Sequence, residues 1–407
     1  MQEAKRMKQL PPYLFTTVDG WKKEVQATGI EICDFSMGNP ELPPAPHVVK
    51  ALEKSLKIKD IHKYSKSFWD IEKNFRKAIA AWYKKKFNVT LDPDTEVLPL
   101  IGSKEGIANL AQAFLNPGDV AVIPSPAYPI HFNSVMICGG ELYNLPLKEE
   151  EGFLPNFDAI PKKIADRTKL MIVCYPHNPT AATCDLAFFK KCVAWAKKRD
   201  MIFVNDLAYS DFVFTKDKSP SIMQVAGAKD RCVEFHTFSK SYSLAGWRIG
   251  FAVGNAAVLK GLYKAKSYTD FGIFRGIQYA ATQALNGPQD YVTKIVNIYK
   301  KRVDLFVEGL NAAGWKTTKP KATFYIWTRI PKDYQHLTSM QFTELLLRKT
   351  GVAVAPGTGF GEFGEGYIRF ALVQNDIVIR KALKKIDDFL NLSSKSVSAR
   401  KRSTVKK

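Results

Sequence analysis

The chain has 407 residues, 46% hydrophobic, 24% charged and 12% aromatic, with 25 glycines and 22 prolines. At about 150 residues per domain this length gives two to three folding units, and the composition excludes a disordered chain, a collagen-like fibre and a low-complexity scaffold. Sixty lysines and arginines against 39 aspartates and glutamates leave a net charge of +21. With no homeodomain, RNA-recognition or zinc-finger pattern beside it, that charge reads as a solvated basic surface and not as specific nucleic-acid binding.

The first forty-odd residues are loop-rich, with Pro11-Pro12 and Pro43-Pro44, and carry no apolar core long enough for a signal peptide. Ile71, Phe75, Ala78, Ile79 and Trp82 recur at helical spacing and predict one helix over 70–87, with Asp70 placed to cap it. Short apolar runs at 97–101, 119–124, 170–174, 201–205, 232–237 and 249–253 then alternate with amphipathic stretches such as 103–116 and 185–199. Near-continuous apolar strands separated by helices predict a mostly parallel sheet covered on both faces. After Gly287 the pattern changes to helices at 290–313, 339–350 and 376–392 with strands at 323–328 and 367–372, an α+β module of its own. The expected organisation is a large α/β domain at 47–286, a small domain built from 1–46 and 287–392, and a basic, disordered tail at 393–407.

No run reaches the roughly 18 apolar residues of a spanning helix, so no membrane partner is expected. The six cysteines are scattered, without Cys-x-x-Cys or zinc-like spacing. Several lie in apolar runs, as reduced buried thiols do, which suggests a cytoplasmic protein without a metal.

The stretch Thr237-Phe238-Ser239-Lys240-Ser241-Tyr242-Ser243-Leu244-Ala245-Gly246-Trp247-Arg248 sets hydroxyls and a lysine at a strand end, with an arginine eight residues on. A single lysine is by default a surface charge. Two hydroxyls and a guanidinium, however, make a phosphate-binding set, and an amine held beside a phosphate suits Schiff-base chemistry on pyridoxal phosphate. Gly102-Ser103-Lys104-Glu105-Gly106 lies between a strand and a helix, where free amides and the Ser103 hydroxyl suit a phosphate dianion; Ser103 could equally cap the helix. Asp206 falls at the carboxyl end of a strand, where α/β sheets place their ligands. Arg369, flanked by apolar residues, needs a partner that a carboxylate would supply. Gly357-Thr358-Gly359-Phe360-Gly361 lacks the strand–helix context of a nucleotide-binding loop and reads as a turn.

With these motifs the chain resembles the fold-type-I, class I/II aminotransferases that depend on pyridoxal 5′-phosphate (PLP), from about Leu10 to Leu392. Leu10-Pro11-Pro12-Tyr13-Leu14-Phe15, Tyr175-Pro176-His177-Asn178-Pro179-Thr180-Ala181 and Asp206-Leu207-Ala208-Tyr209 are similar to bacterial alanine (glutamate–pyruvate) transaminases, with LL-diaminopimelate aminotransferases close behind. The resemblance implies a large domain with a mostly parallel seven-stranded sheet, a smaller α+β domain, and a homodimer with shared active sites. It implies Lys240 as the Schiff-base lysine and proton shuttle, Asp206 on the pyridine nitrogen, and Asn178 and Tyr209 on the phenolic oxygen. Ser103, Lys104, Thr237, Ser239 and Arg248 would surround the phosphate, joined by Tyr64 from the other subunit, with Tyr128 against the ring. Gly38 and Arg369 would receive the substrate α-carboxylate, Tyr13 would close over it, and Lys104, Tyr128 and Asn178 would also face it. Ala181 departs from the glycine usual in the family.

The expected reaction is a ping-pong exchange between an L-amino acid and a 2-oxo acid, first alanine/pyruvate with glutamate/2-oxoglutarate. LL-diaminopimelate or aspartate as donor, or a cysteine-S-conjugate β-lyase reaction on the same fold, are the alternatives. Lys104, Arg275 or another cation could read a second substrate carboxylate, and Arg275, beside the aromatic stretch 268–274, could equally be a dimer contact. A DNA-binding regulator built on the fold would need a helix-turn-helix, which the sequence lacks.

Overall fold

The computed structural model describes residues 1–11, 14–65 and 70–404. Strand β1 (Cys33–Asp34) is followed by β2 (Val97–Leu100), β3 (Val120–Ser125), β4 (Glu141–Pro146), β5 (Thr168–Val173), β6 (Ile202–Asp206), β7 (Cys232–Thr237) and β8 (Gly250–Gly254). The last seven form one sheet in the order β2-β8-β7-β6-β5-β3-β4. Neighbours from β4 to β7 pair parallel, and β8 alone runs antiparallel to both its neighbours.

Alternate residues of each strand enter different cores, which is why the strands read as continuous apolar runs. Val122, Met171, Val173, Phe203 and Phe251 meet Phe75, Ile79 and Tyr83 of helix Asp70–Phe87, together with Phe189 and Val193 of helix Leu186–Arg199. Ala121, Ile123, Leu170, Ile172, Val204 and Phe235 meet Ile107 and Leu110 of helix Ser103–Phe114, and Val258 and Leu262 of helix Ala256–Ser267. Six strands fall within two residues of their predicted ends. The edge strand β4 is the one the apolar pattern does not reveal, because most of its side chains are only half-buried.

In the smaller unit, β9 (Tyr325–Arg329), β11 (Ala355–Pro356) and β12 (Tyr367–Ala371) form an antiparallel sheet with β12 at its centre, and β1 pairs parallel with β10 (Val352–Ala353). Helix Ser339–Thr350 starts in a capping box between Thr338 and Gln341 and stops at Gly351, whose φ of 73° suits glycine. The larger unit takes in Met1–Leu10, Pro40–Asn178 and Ala182–Val296, and the smaller Pro11–Asn39, Pro179–Ala181 and Asn297–Lys407. The boundaries thus differ from the expected 46/47 and 286/287, and the first ten residues join the larger unit. Helix Asp376–Thr404 runs past Leu392 and takes in 393–404, which the sequence assigns to a disordered tail. All six cysteines are free, and burial raises the pKa of every one, that of Cys232 to about 12.

Glu234 breaks the apolar rule of β7, since it is wholly buried on the face covered by helix Asp70–Phe87. Its carboxylate accepts hydrogen bonds from Tyr83 Oη (2.5 Å), Ser221 Oγ (2.5 Å), Asn205 Nδ2 (2.9 Å) and the Ile222 amide (3.0 Å). Burial pushes the Glu234 carboxyl up, but His236 and these donors outweigh it and hold its pKa below the ordinary value. Burial keeps His236, which hydrogen-bonds Tyr83 Oη through Nε2 (2.5 Å), below its own. Glu234→Ala strands four donors in the core and is expected to cost about 3–5 kcal/mol, read from the urea-unfolding midpoint.

Candidate active site

Strand register brings the candidate residues of the larger unit together. Gly250 pairs with Leu100 of β2 on one side and Thr237 of β7 on the other, so the chain leaves β2 and β7 at neighbouring points. After β2 comes Gly102, with φ 80°, as the N-cap of helix Ser103–Phe114; no side chain caps this helix, so Ser103 is not its cap. A Cβ on Gly250 would lie 3.0 Å from the Ser103 amide nitrogen, and one on Gly102 would overlap the Arg248 guanidinium. Arg248 itself has φ 53°, a left-handed conformation that strains a non-glycine residue by about 1 kcal/mol or more. It donates from Nη1 to Ala245 O (2.8 Å). Thr237 Oγ1 donates to Ser239 Oγ (2.9 Å) and accepts from the Ser239 amide (3.1 Å). Burial and the Arg248 charge lower the pKa of Lys104. A helix start without a side-chain cap, two paired hydroxyls and a guanidinium make a cup for a dianion.

Asp206 ends β6 and is 3% exposed. Its Oδ2 meets His131 Nε2 at 3.1 Å, whereas Oδ1 is buried with no hydrogen-bond partner among the described residues. A carboxylate oxygen left in that state costs about 1–3 kcal/mol, which a ligand donor would recover. Tyr128 precedes helix Pro129–Ile137, and its ring stands edge-on to His131 at 5.9 Å, so one turn supplies both an aromatic face and the contact to Asp206. Tyr209 is buried, and Lys240 Nζ lies 6.0 Å from its ring centre. Asn178, also buried, follows a cis Tyr175–Pro176 peptide, and Asn205 Oδ1 accepts from the Tyr175 amide (3.3 Å) beside Asp206. Ala181 has φ 59°, the left-handed region that explains why glycine is usual there.

Tyr64 is 69% exposed, not a core residue, and packs at a tilt on the equally exposed Phe271, with ring centres 4.7 Å apart. Arg275, a sequence candidate for reading the substrate, is buried; it donates to Asp60 O (2.6 Å) and Tyr64 O (2.5 Å) and so braces the Tyr64 loop.

Gly38 and Arg369 belong to the smaller unit. Arg369 is 2% exposed on β12, donates from Nη2 to Ser36 O (2.8 Å), and lies 4.3 Å from the ring centre of Tyr325 and 4.5 Å from that of Phe360. Phe360 ends a short 3-10 helix, Gly357–Phe360, where the sequence was read as a turn. A side chain at Gly38 would overlap Tyr325. Tyr13 lies outside the described residues. The sequence missed His131, although its i, i+3 spacing from Tyr128 is a signal for one helical turn.

The donor set fits PLP: a dianion cup, a buried carboxylate oxygen open to a ring N–H, and a lysine beside a tyrosine. A sequence model described as "Aminotransferase class I and II" matches residues 30–386, and the chain belongs to that family. It is a PLP-dependent aminotransferase, carrying amino groups between L-amino acids and 2-oxo acids. The LL-diaminopimelate aminotransferase of Syntrophobacter fumaroxidans is 43% identical over 94% of this chain and 98% of its own. That of Aquifex aeolicus is 45% identical over 90% and 94%. Among solved structures, substrate-bound BacF from Bacillus subtilis has a TM-score of 0.90 at 36% identity, covering 96% of this chain and 98% of that one. A probable N-succinyldiaminopimelate aminotransferase from Thermus thermophilus reaches 0.86 at 33% identity, covering 92% and 99%. The relatives named for LL-diaminopimelate favour that alternative over the alanine/pyruvate pair put first from sequence.

Burial, reinforced by His131, holds the pKa of His177 down at about 3, against 6.5 for the free side chain. The folded chain therefore keeps His177 neutral while the unfolded chain protonates it, and stability falls as pH drops from 6.5 towards 3. Between pH 7 and 4.5, His177→Gln is expected to lose roughly 2 kcal/mol less unfolding free energy than the parent, measured by urea titration at both pH values.

Proposed function

We propose that this enzyme takes the amino group of LL-diaminopimelate and passes it to 2-oxoglutarate, as a cytoplasmic homodimer in amino-acid biosynthesis. The observation that carries the donor is the similarity, at 41–45% identity over nine-tenths of the chain or more, to enzymes named for LL-diaminopimelate. Bound PLP supplies an electron-withdrawing ring that stabilises the charge left on the substrate Cα after its proton departs. In this reading Lys240 Nζ holds the cofactor and moves that proton. The open Oδ1 of Asp206 accepts from the pyridine nitrogen while His131 fixes the carboxylate, and Asn178 and Tyr209 donate to the phenolic oxygen. Ser103, Lys104, Thr237, Ser239 and Arg248 hold the phosphate, and Tyr128 covers the ring.

Arg369, kept planar between two aromatic faces, takes the α-carboxylate in bidentate fashion, and Gly38 leaves room for it. The exposed aromatic group of Tyr64, Tyr268, Phe271 and Phe274 supports a second subunit at this face, with Tyr64 reaching its phosphate.

The test is the rate at which each amino acid bleaches the visible absorbance of the PLP-loaded enzyme. LL-diaminopimelate should exceed alanine and aspartate by about tenfold or more in kcat/KM. Faster turnover of alanine would return the enzyme to the alanine/pyruvate pair, and pyruvate released without any acceptor would mark a β-lyase. Lys240→Ala should abolish transamination with the circular-dichroism spectrum unchanged. Arg369→Ala should raise KM for every amino-acid substrate by roughly 100-fold, since all share the α-carboxylate.

A further inference from the structure

The turn that follows β6 carries more than Asp206 and Tyr209. Two residues beyond Tyr209, Asp211 reaches across to the loop that bears Lys240. Its Oδ2 accepts from Ser241 Oγ at 2.6 Å, and its Oδ1 accepts from Lys86 Nζ, also at 2.6 Å. Lys86 comes from the last turn of helix Asp70–Phe87, donates in addition to Ser210 Oγ (2.8 Å), and lies 4.7 Å from the ring centre of Trp82. Burial pushes the Asp211 carboxyl up, but the Lys86 charge and the hydrogen bonds outweigh it and hold it below its usual range. One ionised, partly buried carboxylate therefore joins three segments far apart in sequence: the helix through Lys86, the Asp206–Tyr209 turn, and the lysine loop through Ser241.

The lysine loop is also held on either side of Lys240, by the Ser239–Thr237 bonds and by Tyr242, which donates to Gln289 Oε1 (2.9 Å) and packs on Phe238. Its base is fixed by Phe238 N to Ile249 O (3.1 Å) and Leu244 N to Phe238 O (3.2 Å), and Ser243 N reaches Lys240 O at 3.3 Å with Ser243 in a left-handed conformation, φ 54°. Those bonds set where the loop begins and ends. The Ser241–Asp211 bond ties the residue next to Lys240 to the turn that holds Asp206 and Tyr209.

We propose that Asp211 is a positioning residue that, through Ser241 and with Lys86 as its counter-charge, sets the reach of Lys240 Nζ relative to Asp206 and Tyr209. The inference rests on Lys240 as the cofactor-binding lysine. Neither Asp211 nor Ser241 touches the phosphate cup, so loosening the clasp alters where the amine can go and leaves the hold on the cofactor intact. Displacement of a reacting group by about 1 Å is enough to cost one to two orders of magnitude in rate.

The experiment uses the PLP-loaded enzyme and the variants Ser241→Ala and Asp211→Asn, the second nearly isosteric so that folding is spared. Four quantities are read: kcat per bound cofactor, KM, PLP Kd, and the fraction of cofactor fixed covalently by borohydride with the labelled peptide mapped. The expected result is a fall in kcat of about tenfold, with KM, PLP Kd and the borohydride-fixed fraction on Lys240 all within about twofold of wild type. Unchanged kcat per bound cofactor overturns the proposal, whatever happens to melting temperature. So does a loss of kcat matched by an equal loss of PLP affinity, the signature of general disruption. If the wild-type label maps away from Lys240, the lysine assignment falls and the clasp with it; if it maps to Lys240 and the variants behave as wild type, only the clasp falls.

Discussion

The site hangs on a close approach between strands that only a residue without a side chain permits. Gly250 lies opposite Leu100 and Thr237 at once, and a Cβ there would fall 2.5 Å from His236 O and 3.0 Å from the Ser103 amide nitrogen. Because the strands meet so closely, the bare start of helix Ser103–Phe114 and the hydroxyls after β7 open into the same space. Arg248 then bends back over Gly102 in a strained conformation that the surrounding structure enforces. Backbone packing comes first in this arrangement, and the charged side chains are arranged around it.

Two buried carboxylates on adjacent strands show how differently such groups are used. Glu234 is saturated with donors from Tyr83, Ser221, Asn205 and Ile222, and it ties the sheet to a helix and to the segment ahead of β7. Asp206, one strand over, has a single oxygen engaged and the other open. Asn205 links them, since its amide nitrogen bonds Glu234 while its oxygen holds the Tyr175 amide at the head of the Asn178 loop. A complete hydrogen-bond set makes structure, and an incomplete one makes a binding site.

What could be read from sequence follows from where the information lies. The central strands were legible because both faces are covered, so most of their residues are apolar; β4 was not, because an edge strand with half-buried side chains carries no such run. Lys240, Asp206, Asn178 and Arg248 sit in contiguous motifs that announce a cofactor. Asp211 and Glu234 gain their meaning only from partners 125 and 151 residues away, Lys86 and Tyr83, and no local pattern records that pairing. Arg275 shows the converse: its charge suggested substrate recognition, yet the fold uses it to hold two backbone carbonyls. The relatives' names favour a different donor from the one the motifs put first, since residues that read a side chain need not lie in the motifs that bind the cofactor.

Every native thiol has its ionisation suppressed by burial. Thiolate is the species that alkylating and disulfide-forming reagents attack, so each of the six presents a poor nucleophile at neutral pH. A single cysteine introduced on an exposed helix face would outcompete them all. The chain is thereby suited to site-selective attachment of a fluorophore or spin label without first removing its own cysteines.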